Sequence, residues 1–243
     1  RTMLFDVATH RWSEEILNAA GFAAAEFARP LPPGGIAGTI PDAVASSLRL
    51  PPGVVVAAGG HDQVVGAFGC GVRPGSAMYA AGSVECFVPV SRTRPRSEAL
   101  RDANLCGYDY ALPDTFASVA YSLTGSNLLQ YFLETFAANM KRDYAGLIAT
   151  MPEAPTGLLV LPYFTPSGTP HFDSATPGTV FGWRLGMSRG TLLKGLQEGI
   201  GMEMKLNFEL LNANGFDVAT LIAAGGGFRD AAMVQLRADI LNR

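Results

Sequence analysis

An α/β layered protein is the fold class this sequence predicts, and three observations carry the prediction. Short apolar runs (VVVAA at Val54–Ala58, LLVLPY at Leu158–Tyr163, VATLIAA at Val218–Ala224) alternate with segments of helical pattern. The helical segments carry their own punctuation: Ser13 stands before Glu14 and Glu15, and Ser188 opens a long run that closes ahead of Gly215. Glycines follow two of the strands, Gly59-Gly60 and Gly225-Gly226-Gly227, where a chain turns out of a sheet.

The elements follow in order. Met3–Val7 reads as a strand or strand end, and a helix runs from Ser13 through Asn18 to a stop near Gly21. The Pro/Gly-rich tract ARPLPPGGIAGTIP reads as a loop, after which Thr39 can cap a helix over Pro41–Leu48. Leu50–Gly53 is a turn into a buried strand at Val54–Ala58, and a helix follows over Gln63–Phe68. Ala77–Val90 reads as a β-hairpin around Gly82. The Arg-rich stretch SRTRPRSEALR is a solvated loop or a phosphate-binding patch. Asn104–Ala111 and Thr115–Tyr121 pair across a Leu112-Pro113-Asp114 turn, and a helix runs from Ser126 to Ala138. Leu158–Tyr163 is a buried strand, SGTPHFDSATPG a long loop, and Asp230 starts the last helix.

Bulk composition narrows the function classes. With 243 residues, 48% apolar and 16% charged, the chain can fill two lobes or one large domain. A net charge of −3 gives no global attraction to nucleic acid or anionic membrane, so an anionic ligand needs local donors. No stretch approaches the roughly 20 apolar residues of a membrane span, and no secretory signal is visible. The three cysteines, Cys70, Cys86 and Cys106, form neither a disulfide framework nor a zinc pattern, which predicts reduced thiols and a cytoplasmic setting. No metal site is read in the chain. It begins at Arg1 without methionine and stops at Arg243 just after a helical stretch, so a partial chain is expected.

Four candidate sites lie at element ends. Asp62 follows a strand and precedes a helix, where ligands of α/β folds bind and where a helix dipole favours an anion. It either caps the Gln63 helix or acts catalytically, and the two roles are compatible. His61 is a hydrogen-bonded neighbour rather than a metal ligand, because His10 and His171, the other histidines, stand in unrelated contexts. Gly82-Ser83 is a tight turn or a place where bare backbone and a hydroxyl meet phosphate. Gly125-Ser126 is an N-cap or a nucleotide contact, and Gly225-Gly226-Gly227 is a turn or a close approach to a flat ligand or phosphate. Gly69-Cys70-Gly71 with Gly75 has the wrong spacing and follows a helix, so the dinucleotide-binding fingerprint fails. The absence of a G-x-S-x-G elbow argues against an α/β hydrolase.

Taken as an ordered series, these sites resemble a known family. GGHDQVVGAFGCGVRPGSAMYAAGSVE resembles the interdomain stretch of the FGGY carbohydrate kinases, which are sugar and polyol kinases of the actin-like ATPase superfamily. PYFTPSGTPHFDSATPGTVFGWRLGMSRGTLLKGLQEGIGMEMK is similar to their loop-and-helix stretch, and IAAGGGFRDAAMVQLRADIL to their adenosine motif. The resemblance implies an actin-like ATPase (ribonuclease H-like) fold: the end of an N-terminal sugar-binding lobe over 1–73 and most of a nucleotide-binding lobe over 74–243. It implies ATP-dependent phosphorylation of a sugar or polyol hydroxyl, a pentulose above all, with Asp62 as general base and His61 beside it at the substrate. Gly82, Ser83, Gly125, Ser126, Gly225, Gly226 and Gly227 fall to ATP, with Mg²⁺ bridging the phosphates. Lobe closure and a homodimer are further family expectations. The alternatives are a non-catalytic nucleotide-binding module of the same fold, or an inactive fragment. Three departures stand out: Val84 follows Gly82-Ser83 where G-T-S or G-T-G is frequent, Asp230 replaces a frequent serine or asparagine and Met233 a frequent tryptophan, and no D-x-G-[ST] loop precedes Asp62.

Overall fold

The computed structural model describes residues 2–95, 97–140 and 142–243. Two short strands, β1 (Phe5–Asp6) and β2 (Arg11–Trp12), pair antiparallel at the start. Helix α1 (Glu14–Ala20) is capped by Ser13, whose hydroxyl accepts from Ile16 N, and stopped by Gly21 in the left-handed region. Both ends match the reading of the sequence, because local side-chain chemistry alone sets them.

The next segment departs from that reading. The Pro/Gly-rich tract contains a strand, β3 (Ile36–Thr39), paired with β4 (Val55–Ala57). All residues of β4 are exposed, so the predicted buried strand is instead half of a two-stranded ribbon. Helix α2 (Asp42–Ser47) between them starts after Pro41, and Thr39 lies in β3 rather than capping. Helix α3 (Asp62–Gly69) begins one residue earlier than predicted.

The largest sheet, six-stranded among the described residues, organises the rest. The hairpin β5 (Ser76–Ala81) and β6 (Glu85–Ser91) forms around Gly82 as read, with Ala81 opposite Glu85. Beyond Arg96, which lies outside the described residues, the Arg-rich stretch contains helix α4 (Glu98–Asp102), capped by Ser97. Arg94 lies 4.6 Å over the Phe116 ring and 3.4 Å from the Asp109 carboxylate, so this arginine is already engaged. The pair β7 (Tyr108–Asp109) and β8 (Phe116–Ala117) is shorter than predicted, because β9 (Ala120–Ser122) turns away to pair with β6.

Helix α5 (Ser126–Phe136) follows β9, and α6 (Tyr144–Ile148) is a short helix that the sequence reading missed. Strand β10 (Leu159–Leu161) pairs with β11 (Thr179–Phe181), and only Val160 of β10 is buried. The long helix α7 (Arg189–Ala213) is capped by Ser188. Strand β12 (Thr220–Ala224) then runs parallel to β5, and α8 (Ala231–Leu241) is capped by Asp230.

Period-two alternation sorts the hairpin onto two cores. Tyr79 and Phe87 face α7, where Leu193, Ile200, Met204 and Phe208 pack on them. Met78, Cys86 and Val88 face α3, against Val64 and Ala67. Each fully buried large side chain contributes about 1.5–3 kcal/mol. The sheet is therefore held between α7 and α3, and its loop-bearing end is presented by both faces. Gly199 lets β10 approach α7, since a Cβ there would sit 2.7 Å from Val160 Cβ.

Helix α7 also buries polar groups. Glu203 and Asn207 lie one turn apart, and Glu203 Oε1 and Asn207 Oδ1 have no hydrogen-bond partner among the described residues. Burial pushes the Glu203 carboxyl above the usual range, while the Tyr163 hydroxyl, 3.2 Å from Oε2, and His171 pull the other way. A carboxyl raised in the folded state contributes stability while protonated and loses it as pH rises through the folded value. Glu203→Gln is expected to stabilise the protein at neutral pH, because a neutral amide takes the place of a carboxylate whose charge burial disfavours. The gain should shrink as pH falls into the ordinary glutamate range, as thermal unfolding at stepped pH would show.

Candidate functional site

Register brings the predicted loops to one end of the sheet. Ala81 opposes Glu85, Ser122 of β9 opposes the same Glu85, and Ala224 of β12 lies beside Ala80. The ends of β5, β9 and β12 and the start of β6 therefore coincide. The residues that leave them (82–84, 123–126 and 225–228) must converge.

They enclose a cleft of about 490 Å³. Gly82, Ser83, Ser126, Gly226 and Gly227 line it, with Asn127, Gln130, Tyr144, Ile148, Arg229 and Asp230. Five of the seven predicted nucleotide positions thus share one cavity, of the size small-molecule sites have. Gly125 and Gly225 do not line it; they form its frame. A Cβ on Gly125 would stand 3.0 Å from the carbonyls of Gly82 and Ser83. At Gly225, φ is +91° and a Cβ would meet Ala81 O at 2.5 Å. Gly225→Ala is expected to cost about 1–3 kcal/mol from the forced backbone conformation. Denaturant titration of the variant beside the parent would read the loss.

The start of α5 is built differently from a free anion site. Ser126 N donates to Gly82 O at 2.9 Å and Asn127 N to Ser83 O at 3.4 Å, so the hairpin carbonyls occupy these amides. Asn127 Oδ1 accepts from Gly125 N and Leu128 N at 2.7 and 2.8 Å. What α5 offers the cleft is the Ser126 hydroxyl and the Gln130 side chain. On the far wall, Asp230 Oδ1 accepts from Ala232 N at 2.9 Å and starts α8. The sequence reading missed Asn127, Gln130, Tyr144 and Arg229; Tyr144 and Ile148 reach the cleft from α6, for which no local signal was recognised.

Asp62 and His61 lie outside this lining. Asp62 is the first residue of α3, and His61 holds the cap position without a capping side chain. The Asp62 carboxylate accepts from Gln63 N at 2.8 Å, approaches His61 Nδ1 at 3.4 Å, and its side chain is 85% exposed. It combines a favourable helix terminus with an open face. Its position along the sheet is fixed through Gln63, whose Oε1 accepts from the Cys86 thiol at 3.1 Å. Cys86 is the second residue of β6, so Asp62 stands at the same end of the sheet as Gly82 and Ser83. Burial pushes the Cys86 thiol up to about 12, and the Asp62 and Glu85 carboxylates add to it.

Beside this end, the His61 ring packs at 5.6 Å on Tyr108. A second cavity of about 690 Å³ opens next to Gly59, with His10, Arg94 and Asp109 on its wall. His10 Nε2 lies 2.9 Å from Asp109 Oδ2, tying the first seventy residues to the β7–β8 pair. The cysteines are free, with Cys86 buried and Cys70 and Cys106 exposed. No helix among the described residues is long and apolar enough to cross a membrane.

Four residues behind the cleft, Glu85, Arg237, Tyr79 and Gln197, were not singled out from the sequence. Glu85 and Arg237 form a buried ion pair, 2–4% exposed, with Nη2 2.7 Å from Oε1. Arg237 Nε donates to Oε2 at 3.2 Å, and the Tyr79 hydroxyl donates to the same oxygen. Arg237 also donates to Gln197, to its carbonyl at 2.9 Å and its side-chain oxygen at 3.0 Å. Burial first, then the Glu85 charge, raises the Tyr79 hydroxyl well above its usual range.

Comparison with known proteins gives this arrangement its lineage. The chain is 28% identical to the xylulose kinase of Bacillus subtilis (strain 168), over 99% of this chain and 48% of that protein. It is 25% identical to the xylulose kinase of Escherichia coli (strain K12), over 98% and 49%. The chain spans about half the length of the curated relatives it matches. Among solved structures, it superposes on a xylulose kinase from Rhodospirillum rubrum with a TM-score of 0.83 at 22% identity, covering 99% of this chain and 48% of that one. A gluconate kinase from Lactobacillus acidophilus gives 0.85 at 17% identity, over 98% and 48%. A Plasmodium falciparum glycerol kinase with ADP gives 0.81 at 16%, over 99% and 48%. The fold is that of the actin-like ATPases. The model of the FGGY N-terminal domain matches residues 1–69 and that of the C-terminal domain residues 77–243. On these matches, the chain belongs to the FGGY family of carbohydrate kinases.

Proposed function

We propose that this chain carries the general base and nucleotide cleft of an ATP-dependent kinase acting on a sugar or polyol, with a pentulose as preferred acceptor. The observation that supports it most is the convergence of Gly82, Ser83, Ser126, Gly226 and Gly227 on one cleft, with the exposed Asp62 carboxylate at the same end of the sheet. The names of the xylulose kinase relatives support the pentulose. The lobe boundary falls at Arg73-Pro74, in the turn between α3 and β5.

In this reading Gly226 and Gly227 give the nucleotide a wall of bare backbone, and a Cβ added to Gly226 would meet open space. Ser83 and Ser126 donate their hydroxyls to phosphate oxygens. Asp62 accepts the proton of the acceptor hydroxyl as that oxygen attacks the γ-phosphate, and His61 helps hold the acceptor. Little covalent work falls to the protein; positioning and charge neutralisation carry the catalysis. Among the described residues no group of three or more His, Cys, Asp or Glu is placed to hold a metal, so a Mg²⁺ ion would be held largely by the nucleotide's phosphates. When bound, it would neutralise the charge developing on the transferred phosphoryl group.

The test is ADP release with ATP, Mg²⁺ and a panel of pentuloses and polyols, beside ATP titration of the protein alone. Acceptor-dependent ADP release supports the kinase. ATP binding with no turnover on any acceptor favours a nucleotide-binding module, and no ATP binding overturns the reading of the cleft.

A further inference from the structure

The buried Glu85–Arg237 pair has a place in the fold that packing alone does not explain. Glu85 is the first residue after the Gly82–Val84 turn, and Arg237 lies on the helix that follows the Gly225–Gly227 loop. These two segments form facing walls of the cleft. Gln197, on α7, holds the third corner. Four of the five guanidinium hydrogens are used, two on Glu85 and two on Gln197. Tyr79 completes the carboxylate and packs edge-on at 4.9 Å against Phe228, the residue after Gly227. Only a void of about 10 Å³ separates Glu85 and Gln197 from Ser126 and Gly227 of the cleft wall. That is at most one water's space, so the network lies directly behind the wall of the site.

Burying two charges is a poor way to gain stability, since well-packed apolar side chains of the same volume do as well or better. What a fork-on-carboxylate contact adds is direction, because a guanidinium meets a carboxylate in a fixed plane. Leucine and methionine in the same place would permit α8 to slide against β6. We propose that Glu85 and Arg237 are positioning residues of the nucleotide cleft, setting the separation and register of the Gly82–Ser83 turn and the Gly225–Gly227 loop. The inference rests on the reading of that cleft as a nucleotide site.

The test uses the full chain and a fluorescent ADP analogue, with thermal unfolding measured on the same samples. Two variants are compared with the parent: Arg237→Lys, which keeps charge without the fork, and an apolar set, Glu85→Met with Arg237→Leu and Tyr79→Phe. Both are expected to bind the analogue about tenfold more weakly. The apolar set should do so with an unfolding temperature at or above the parent's. In turnover, KM for ATP rises while KM for the acceptor stays. A folded variant with parental ADP affinity overturns the positioning role and leaves the nucleotide reading intact. A parent chain that does not bind the analogue overturns both. Where the apolar set fails to fold, Arg237→Lys decides alone: weaker ADP binding supports the role and parental affinity refutes it.

Discussion

Replacing Asp62 with asparagine is expected to lower phosphoryl transfer by about 10²–10⁴-fold, the usual contribution of a positioned general base. ATP affinity should stay unchanged, because Asp62 stands outside the lining of the nucleotide cleft. Asparagine keeps the size of the side chain and can still accept from Gln63 N, the hydrogen bond that Asp62 makes at 2.8 Å. Helix α3 should therefore start in the same place, and the change isolates the proton acceptor from the scaffold. The measurement is the rate of ADP release at saturating ATP and acceptor, with ATP affinity read by titration. Loss of turnover with ATP binding kept assigns the base. Parallel loss of both would mean that Asp62 serves the local fold, and retained turnover would move the base elsewhere.

The parts legible in the sequence were those whose chemistry is local. Ser13, Ser188 and Gly21 mark helix ends because a hydroxyl reaches an amide two or three residues on and glycine alone takes a left-handed turn cheaply. Gly82-Ser83 and the three late glycines drew attention because they interrupt apolar runs, and the cleft gathers both. Strand β4 was misjudged for the opposite reason. Its valines look buried by composition, yet burial depends on what lies across the ribbon, and composition carries no record of that. Thr39 looked like a cap until pairing with Val55 drew it into β3. The hidden ion pair was beyond local reading altogether: Glu85 and Arg237 are 152 residues apart, and each alone looks like an ordinary surface charge. Helix α6 is five residues long, too short for a periodic pattern to declare it.

That ion pair gives the largest expected effect on stability. Arg237→Met is expected to cost about 3–5 kcal/mol, the penalty for removing one member of a buried pair. The physical reason lies in the carboxylate left behind. Glu85 is 3% exposed and would keep only the Tyr79 hydroxyl among its present donors. Gln197 would lose the donors to its carbonyl and its side-chain oxygen at the same stroke. Glu85→Gln should cost less, because an oxygen in the same space can still accept from Arg237. Urea unfolding of the two variants, compared at the midpoint with the slope held, gives the ordering. A small effect of Arg237→Met would mean that water reaches Glu85, and a network open to water could not hold two loops in register. A large single-variant loss with a stable apolar set separates the two roles: the charges then depend on each other, while the fold does not depend on their being charges. Only in that case is the cost of burying them offset at the cleft rather than in stability.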